Sequence, residues 1–235
     1  MTDVYAIRLN FQEKLDQAVF HRLLDCVSQE KKERLLRFYR MEDTLRGLFA
    51  DLLSRDMIMQ KTGLNNEDIS FTTNEYGKPF LKGRGDVQFN MSHSGAWVVG
   101  AIDHHPVGID VEMVQEIDLD ISRNYFSPDE HEDLMSKADM YGRYDYFFTL
   151  WALKESYIKI LGKGLSHPLD AFSIKFTGPE EIIIKVEGRR IDDIFFRQYG
   201  VDKQYKMAVC AAHDRIAPEV HLVTPEQLIK KFLKV

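Results

Sequence analysis

The sequence predicts an α+β fold: two similar halves related by a pseudo-twofold axis, each a small, mainly antiparallel sheet packed with helices, and an active site in the cleft between them. Three observations carry this expectation. Strand-patterned and helix-patterned segments are interleaved along the whole chain. The order helix, then strands, also occurs twice. Residues 51–58 lead through Thr62-Gly63-Leu64 to Ile69-Ser70-Phe71 and then to 97–101; residues 152–158 lead through Lys163-Gly164-Leu165 to Phe172-Ser173-Ile174 and then to 207–211. Finally, no stretch rich in Pro, Gly or Ser parts the halves, so residues 1–103 and 104–235 are expected to pack as one unit.

The elements follow in order. Residues 4–9 are rich in β-formers and open as a strand. Residues 28–60 read as helical, with Ser28 in a cap position and Leu35, Phe38, Leu45, Leu48, Leu52 and Ile58 near helical spacing. Phe71-Thr72-Thr73 is a short strand, and Glu75-Tyr76-Gly77-Lys78-Pro79 a turn. Residues 87–92, 96–102 and 107–111 are strands. Ser127-Pro128-Asp129-Glu130 opens a helix, with Ser at the cap and Pro just inside. Residues 144–161 form a long aromatic-rich helix that stops at Gly162-Lys163-Gly164. Strands are expected at 172–176, 181–186 and 207–212.

Charge and composition narrow the function. A net charge of -6, from 31 basic and 37 acidic residues, argues against a nucleic-acid binder. Within that acidic chain, Lys31, Lys32, Arg34, Arg37, Arg40 and Arg46 form a basic patch, suited to a small anionic ligand or to a solvated helix face. No stretch approaches the roughly 20 apolar residues of a membrane span, and the N-terminus lacks the pattern of a secretory signal. The two cysteines, Cys26 and Cys210, make no disulfide framework, so a cytoplasmic location is expected.

Three segments bear chemistry. In Gly108-Ile109-Asp110-Val111-Glu112, positions i and i+2 of a strand set two carboxylates on one face, with Ile109 and Val111 on the other. Adjacent carboxylates repel unless a cation sits between them, and a hard divalent ion shared with phosphate oxygens is the common solution. Alone this signal is weak, because so many acids produce such pairs by chance and solvated acids at a sheet edge look the same. On the long helix, Glu155 and Lys159 share a face at i and i+4, as a surface pair or as a third carboxylate with an ammonium beside it for phosphate. In Phe89-Asn90-Met91-Ser92-His93-Ser94-Gly95, a hydroxyl and an imidazole suited to phosphate end a strand. A Ser-His hydrolase triad lacks an orienting acid here. A metal triad of Asp110, Glu112 and His93 would leave the phosphate-binding parts unexplained.

Together these segments resemble one family. Trp151-Ala152-Leu153-Lys154-Glu155-Ser156-Tyr157-Ile158-Lys159 looks like the W-x-x-K-E-[SA]-x-x-K signature of 4'-phosphopantetheinyl transferases, and Gly108–Glu112 like their G-[IV]-D-x-E signature. Gly77-Lys78-Pro79 and Phe89-Asn90-Met91-Ser92-His93-Ser94 match the upstream coenzyme motifs in order and spacing. The resemblance is to the surfactin-synthetase-activating type, the long, duplicated, monomeric class, and covers nearly the whole chain.

The resemblance implies that the chain transfers the 4'-phosphopantetheine of coenzyme A to a serine of an apo acyl or peptidyl carrier protein, releasing adenosine 3',5'-bisphosphate. It implies Mg²⁺ on Asp110, Glu112 and Glu155, and pyrophosphate contacts from Lys159 and His93. Lys31, Arg34, Arg46, Lys78, Pro79 and Ser92 would line the coenzyme, so that 1–103 supplies the nucleotide contacts and 104–235 the metal and carrier contacts. Glu155, Lys159 and Glu130 are the expected catalytic side chains, with Glu155, or a water held by Glu130, as the base. Carrier docking is expected near 113–124, where Val114, Ile117, Leu119 and Ile121 suit a partner helix or simple core packing, and near 163–173. Two departures stand out: Gly47 replaces a threonine that touches the coenzyme, and Arg34 replaces a lysine. The rival readings are a Mg²⁺-dependent phosphohydrolase and a non-catalytic carrier-binding module. Which carrier is native stays open.

Overall fold

The computed structural model describes residues 1–178 and 181–234. The first strand, β1 (Asp3–Arg8), sends Val4 and Ala6 to one face and Tyr5 and Ile7 to the other, and all four are buried. Two short helices follow, α1 (Gln17–Leu24) and α2 (Gln29–Leu35), capped by Asp16 and Ser28, whose side chains accept the N–H groups of Val19 and Lys31. The long α3 (Met41–Thr62) ends on Gly63, whose φ of 74° only a residue without a Cβ adopts freely. One helical stretch over 28–60 is therefore corrected to two helices with a turn at 36–40. Leu35 sinks into the core where α2 meets α3, and the Thr44 hydroxyl donates to the Leu35 carbonyl at 3.3 Å, closing the end of α2.

The hairpin β2 (Phe71–Thr73) and β3 (Pro79–Leu81) precedes β4 (Gln88–Ser94), β5 (Trp97–Asp103) and β6 (Val107–Met113). Then come α4 (Ser122–Tyr125), α5 (Pro128–Met135) and the long α6 (Met140–Leu161). The chain continues through β7 (Phe172–Phe176), β8 (Ile182–Val186), β9 (Arg189–Ile191), β10 (Phe195–Tyr199) and β11 (Tyr205–Ala211), and finishes with β12 (His221–Val223) and α7 (Pro225–Leu233). No helix among the described residues is long and apolar enough to cross a membrane.

The mixed α+β architecture has the expected duplication. One sheet runs β12-β1-β5-β4 and the other β10-β11-β6. In each half, one strand pairs antiparallel with a central strand, which pairs antiparallel with a third: β1-β5-β4 and β6-β11-β10. Each sheet carries one 22-residue helix, α3 or α6, and both helices stop at a left-handed glycine, Gly63 or Gly162. Val4, Ala6, Val99 and Ala101 of one sheet pack with Ile109, Val111, Met207 and Val209 of the other. The opposite faces carry the helices, so the layers run helix, sheet, sheet, helix.

The last elements cross back. β12 pairs parallel with β1, and Leu228 of α7 joins the core of α3 and β5. Residues 221–233, read from sequence with the second half, thus pack on the first.

Candidate functional site

The site grows from the contact between β6 and α6. Gly108, Asp110 and Glu112 alternate onto the helix-facing side of β6, while Ile109 and Val111 are fully buried between the sheets. Gly108 allows the close approach. A Cβ there would stand 2.9 Å from the Ile160 nitrogen and closer still to the Ser156 carbonyl oxygen. One turn apart on α6, Glu155 and Lys159 meet the strand's two acids. Lys159 Nζ donates to Asp110 Oδ1 at 2.6 Å and to the Ile109 carbonyl at 3.0 Å.

From the other side comes β4, the last strand of its sheet. It lies beside β6, and among the described residues no backbone ladder joins the two. Side chains bridge them instead. Asn90, Ser92 and Ser94, at successive i, i+2 positions, all reach β6. Asn90 Oδ1 accepts the Ile109 N–H at 2.9 Å, Ser92 Oγ donates to Asp110 Oδ1 at 2.7 Å, and Ser94 Oγ donates to Glu112 Oε2 at 3.0 Å.

The three acids lean on one another electrically. Burial, then Asp110 and Glu155, push the Glu112 carboxyl up to about 7. Burial and Asp110 likewise raise Glu155. Asp110 is buried, and its Oδ2 finds no hydrogen-bond partner among the described residues. An orphaned carboxylate oxygen beside two carboxyls that resist ionisation is a chemical fit for a cation. Among the described residues, however, no three His, Cys, Asp or Glu side chains converge in ligating geometry. Lys159 and Ser92 hold Asp110, and Ser94 holds Glu112.

A cavity of about 750 Å³ adjoins this cluster. Lys31, Arg34, Gly47, Pro79, Ser92, His93 and Lys159 line it, with Asp51, Arg55, Phe71 and Phe89. Cavity and acids meet at Ser92 and Lys159, which both bind Asp110. His93, an exposed residue, lines the cavity close to its basic groups. Desolvation of the ring lowers the His93 pKa, and Arg46, Lys159 and Lys31 lower it further. Lys31 is lowered first by burial and steadied by Asp51, 3.9 Å away.

Three predicted residues are placed otherwise. Lys78 does not line the cavity: its Nζ donates to the Lys159 carbonyl at 2.6 Å, near the end of α6. Arg46 does not line it either; it donates to Asp43 at 2.5 Å and to the Gly95 carbonyl at 2.8 Å, with its guanidinium over Phe11. Glu130 is buried, and both its oxygens are held. It accepts from the Ile174 N–H and the Ser127 N–H, both at 2.7 Å, and pairs with buried Lys154 at 2.8 Å. Lys154 in turn donates to the carbonyls of Leu169 and Phe172. This dry ion pair ties α5, α6 and β7 together. In the expected docking stretch, Leu119 is core, Val114 and Ile117 pack against core, and Ile121 is exposed.

Sequence reasoning missed the supports. Asp51 accepts from Arg55 at 2.6 Å as well as facing Lys31, and a buried Asp–Arg pair at i, i+4 was the available signal. Ser94 was visible only as part of a motif. Gly47 has a packing reason: a Cβ would stand 2.6 Å from Leu35 Cδ2.

Comparison with known proteins gives the family. Residues 106–210 match the model of the 4'-phosphopantetheinyl transferase superfamily, and residues 14–105 match that of the 4'-phosphopantetheinyl transferase N-terminal region. The chain is 41% identical to the 4'-phosphopantetheinyl transferase Sfp of Bacillus subtilis (strain 168), over 96% of this chain and 99% of that one. It is 42% identical to a 4'-phosphopantetheinyl transferase of Aneurinibacillus migulanus, over 84% and 81% of the two chains. A third relative, from Bacillus pumilus, is 35% identical over 99% of each.

Proposed function

The chain belongs to the 4'-phosphopantetheinyl transferase superfamily, and from that premise we propose how its residues divide the work. The enzyme transfers the 4'-phosphopantetheine group of coenzyme A to a serine of an apo carrier protein. Asp110, Glu112 and Glu155 would hold Mg²⁺, and the observation that carries this is the buried, unpartnered Oδ2 of Asp110 beside two carboxyls raised by burial and by the charge of Asp110. A divalent cation so held supplies charge neutralisation to the coenzyme pyrophosphate.

The chain's own residues account for the rest. Lys31 and Arg34 bind the 3'-phosphate end of the coenzyme in the cavity. Ser92 and Pro79 flank it, and Arg46, beside His93, adds positive potential. Lys159 and His93 hold the pyrophosphate where cavity and acids meet. Lys78 acts indirectly, through the carbonyl of Lys159. The carrier serine oxygen attacks the β-phosphorus, the bond to adenosine 3',5'-bisphosphate breaks, and the Glu155 carboxylate takes the serine proton. Glu130 is assigned a structural part instead, because it is buried and both its oxygens are held within the fold.

Residues 1–103 thus carry the nucleotide contacts, and 104–235 the acids, Lys159 and the carrier surface. Exposed Ile121 and Tyr125 support docking near 113–124, and residues 163–173 would form its second border. Free Cys26 and Cys210 suit a reducing cytoplasm, and the enzyme is proposed to act as a monomer. The test incubates apo carrier protein, coenzyme A and enzyme, and reads the carrier's mass. A gain of one phosphopantetheine arm that stops in excess EDTA is expected. Full turnover in EDTA would remove the metal from this reading, and hydrolysis of coenzyme A without modified carrier would favour a phosphohydrolase.

A further inference from the structure

We propose that Ser94 is a positioning residue that aims Glu112 at the cation site. The inference rests on the reading above, that Asp110, Glu112 and Glu155 hold a divalent ion.

The geometry around Ser94 leaves its hydroxyl no choice. Its Oγ accepts the backbone N–H of Met113 at 3.1 Å, which fixes one lone pair. Its single proton goes to Glu112 Oε2 at 3.0 Å. Among the described residues this is the only hydrogen bond the Glu112 carboxylate receives, whereas that of Asp110 receives two, from Ser92 and Lys159. Glu112 sits at the end of β6 next to two other acids, so repulsion alone would swing it away. Ser94 resists that swing from outside the acid cluster. It does so from β4, whose alternate side chains replace the missing ladder to β6. The same hydroxyl therefore ties the strand end and the carboxylate into one rigid unit, as hydrogen bonds behind metal ligands do.

The readout is Mn²⁺ binding in the presence of coenzyme A, followed by the electron paramagnetic resonance of free Mn²⁺, on native protein, S94A, S94T and D110N, with thermal midpoints recorded alongside. The expected result is Mn²⁺ affinity roughly ten- to a hundred-fold weaker in S94A and close to native in S94T, which keeps the hydroxyl. kcat should fall in S94A more than the KM for coenzyme A rises, since Ser94 does not line the cavity. A merely structural serine predicts a lowered midpoint with native Mn²⁺ affinity in the folded protein, and that result overturns the proposal. D110N separates the two readings. If D110N loses Mn²⁺ while S94A keeps it, only the role of Ser94 fails; if D110N binds Mn²⁺ like the native protein, the cation site itself fails and the proposal with it.

Discussion

Gly108 and Ser156 touch backbone to backbone: strand β6 meets helix α6 at a point where no side chain fits between them. This contact sets the depth of the site. It brings Glu155 and Lys159 down to Asp110 and Glu112, and any thickening at Gly108 must lift the helix off the strand.

Gly108→Ala is therefore expected to destabilise the protein by about 1–3 kcal/mol, as overpacking does. The fold should survive, but turnover should drop further than stability explains, because Lys159 moves away from Asp110. Denaturant melts and carrier-modification rates on the same samples check this. Native turnover in a folded variant would show that the helix has room to spare.

Glu130→Gln removes one partner of a dry ion pair and leaves Lys154 charged in the core. Such losses cost about 3–5 kcal/mol. The expected outcome is a large fall in thermal midpoint, with near-native turnover per folded molecule at low temperature. The opposite pattern, an unchanged midpoint with lost turnover, would return Glu130 to the chemistry.

Lys31→Ala and Arg34→Ala should each weaken coenzyme A binding by roughly ten- to a hundred-fold, the worth of one charged hydrogen bond of about 1.5–3 kcal/mol. Dephospho-coenzyme A, which lacks the 3'-phosphate, should bind these variants and the native protein alike. Arg46→Ala should weaken both ligands to a similar, smaller degree, because its fixed partners are Asp43 and Gly95. Calorimetry with the two ligands decides. A native protein that cannot tell the ligands apart would move the basic residues to the carrier surface.

Lys78 adds a pH signature. Burial lowers its pKa from 10.5 to about 8 in the folded protein. Below about 8 the lysine is protonated in both states, and its burial penalty is fully present. Between about 8 and 10.5 the unfolded chain binds the extra proton, so the penalty fades and this contribution to stability rises with pH. Lys78→Met should flatten that rise. Chemical melts at pH 7 to 10 measure it, and equal slopes in both proteins would place the Lys78 titration outside the window.

Much of the site is written in short-range periodicity. Asp110 and Glu112 share a face because strands repeat every two residues, and Glu155 and Lys159 because helices return every four. The paired long helices were legible from Gly63 and Gly162 behind apolar runs. The turn at 36–40 was hidden because apolar spacing continues across it, with Phe38 nearly half exposed rather than core. Helix α7 was missed although Thr224, Pro225 and Gln227 form a capping box in the structure. The structural part of Glu130 was hidden for a related reason. An acid three residues after Ser127 is a capping signal, and the tertiary partner that fixes its role, Lys154, lies a helix away.

The return of β12 and α7 to the first sheet has a consequence for biosynthesis. Residues 221–233 supply a border strand beside β1 and part of the core under α3. They leave the ribosome after the whole of the second sheet, so the first layer is closed only once β6, β10 and β11 have been made. A nascent chain that has already made β1, α3 and the cavity walls still exposes the flank of β1. The first sheet is completed in one late step, when β12 seats beside β1.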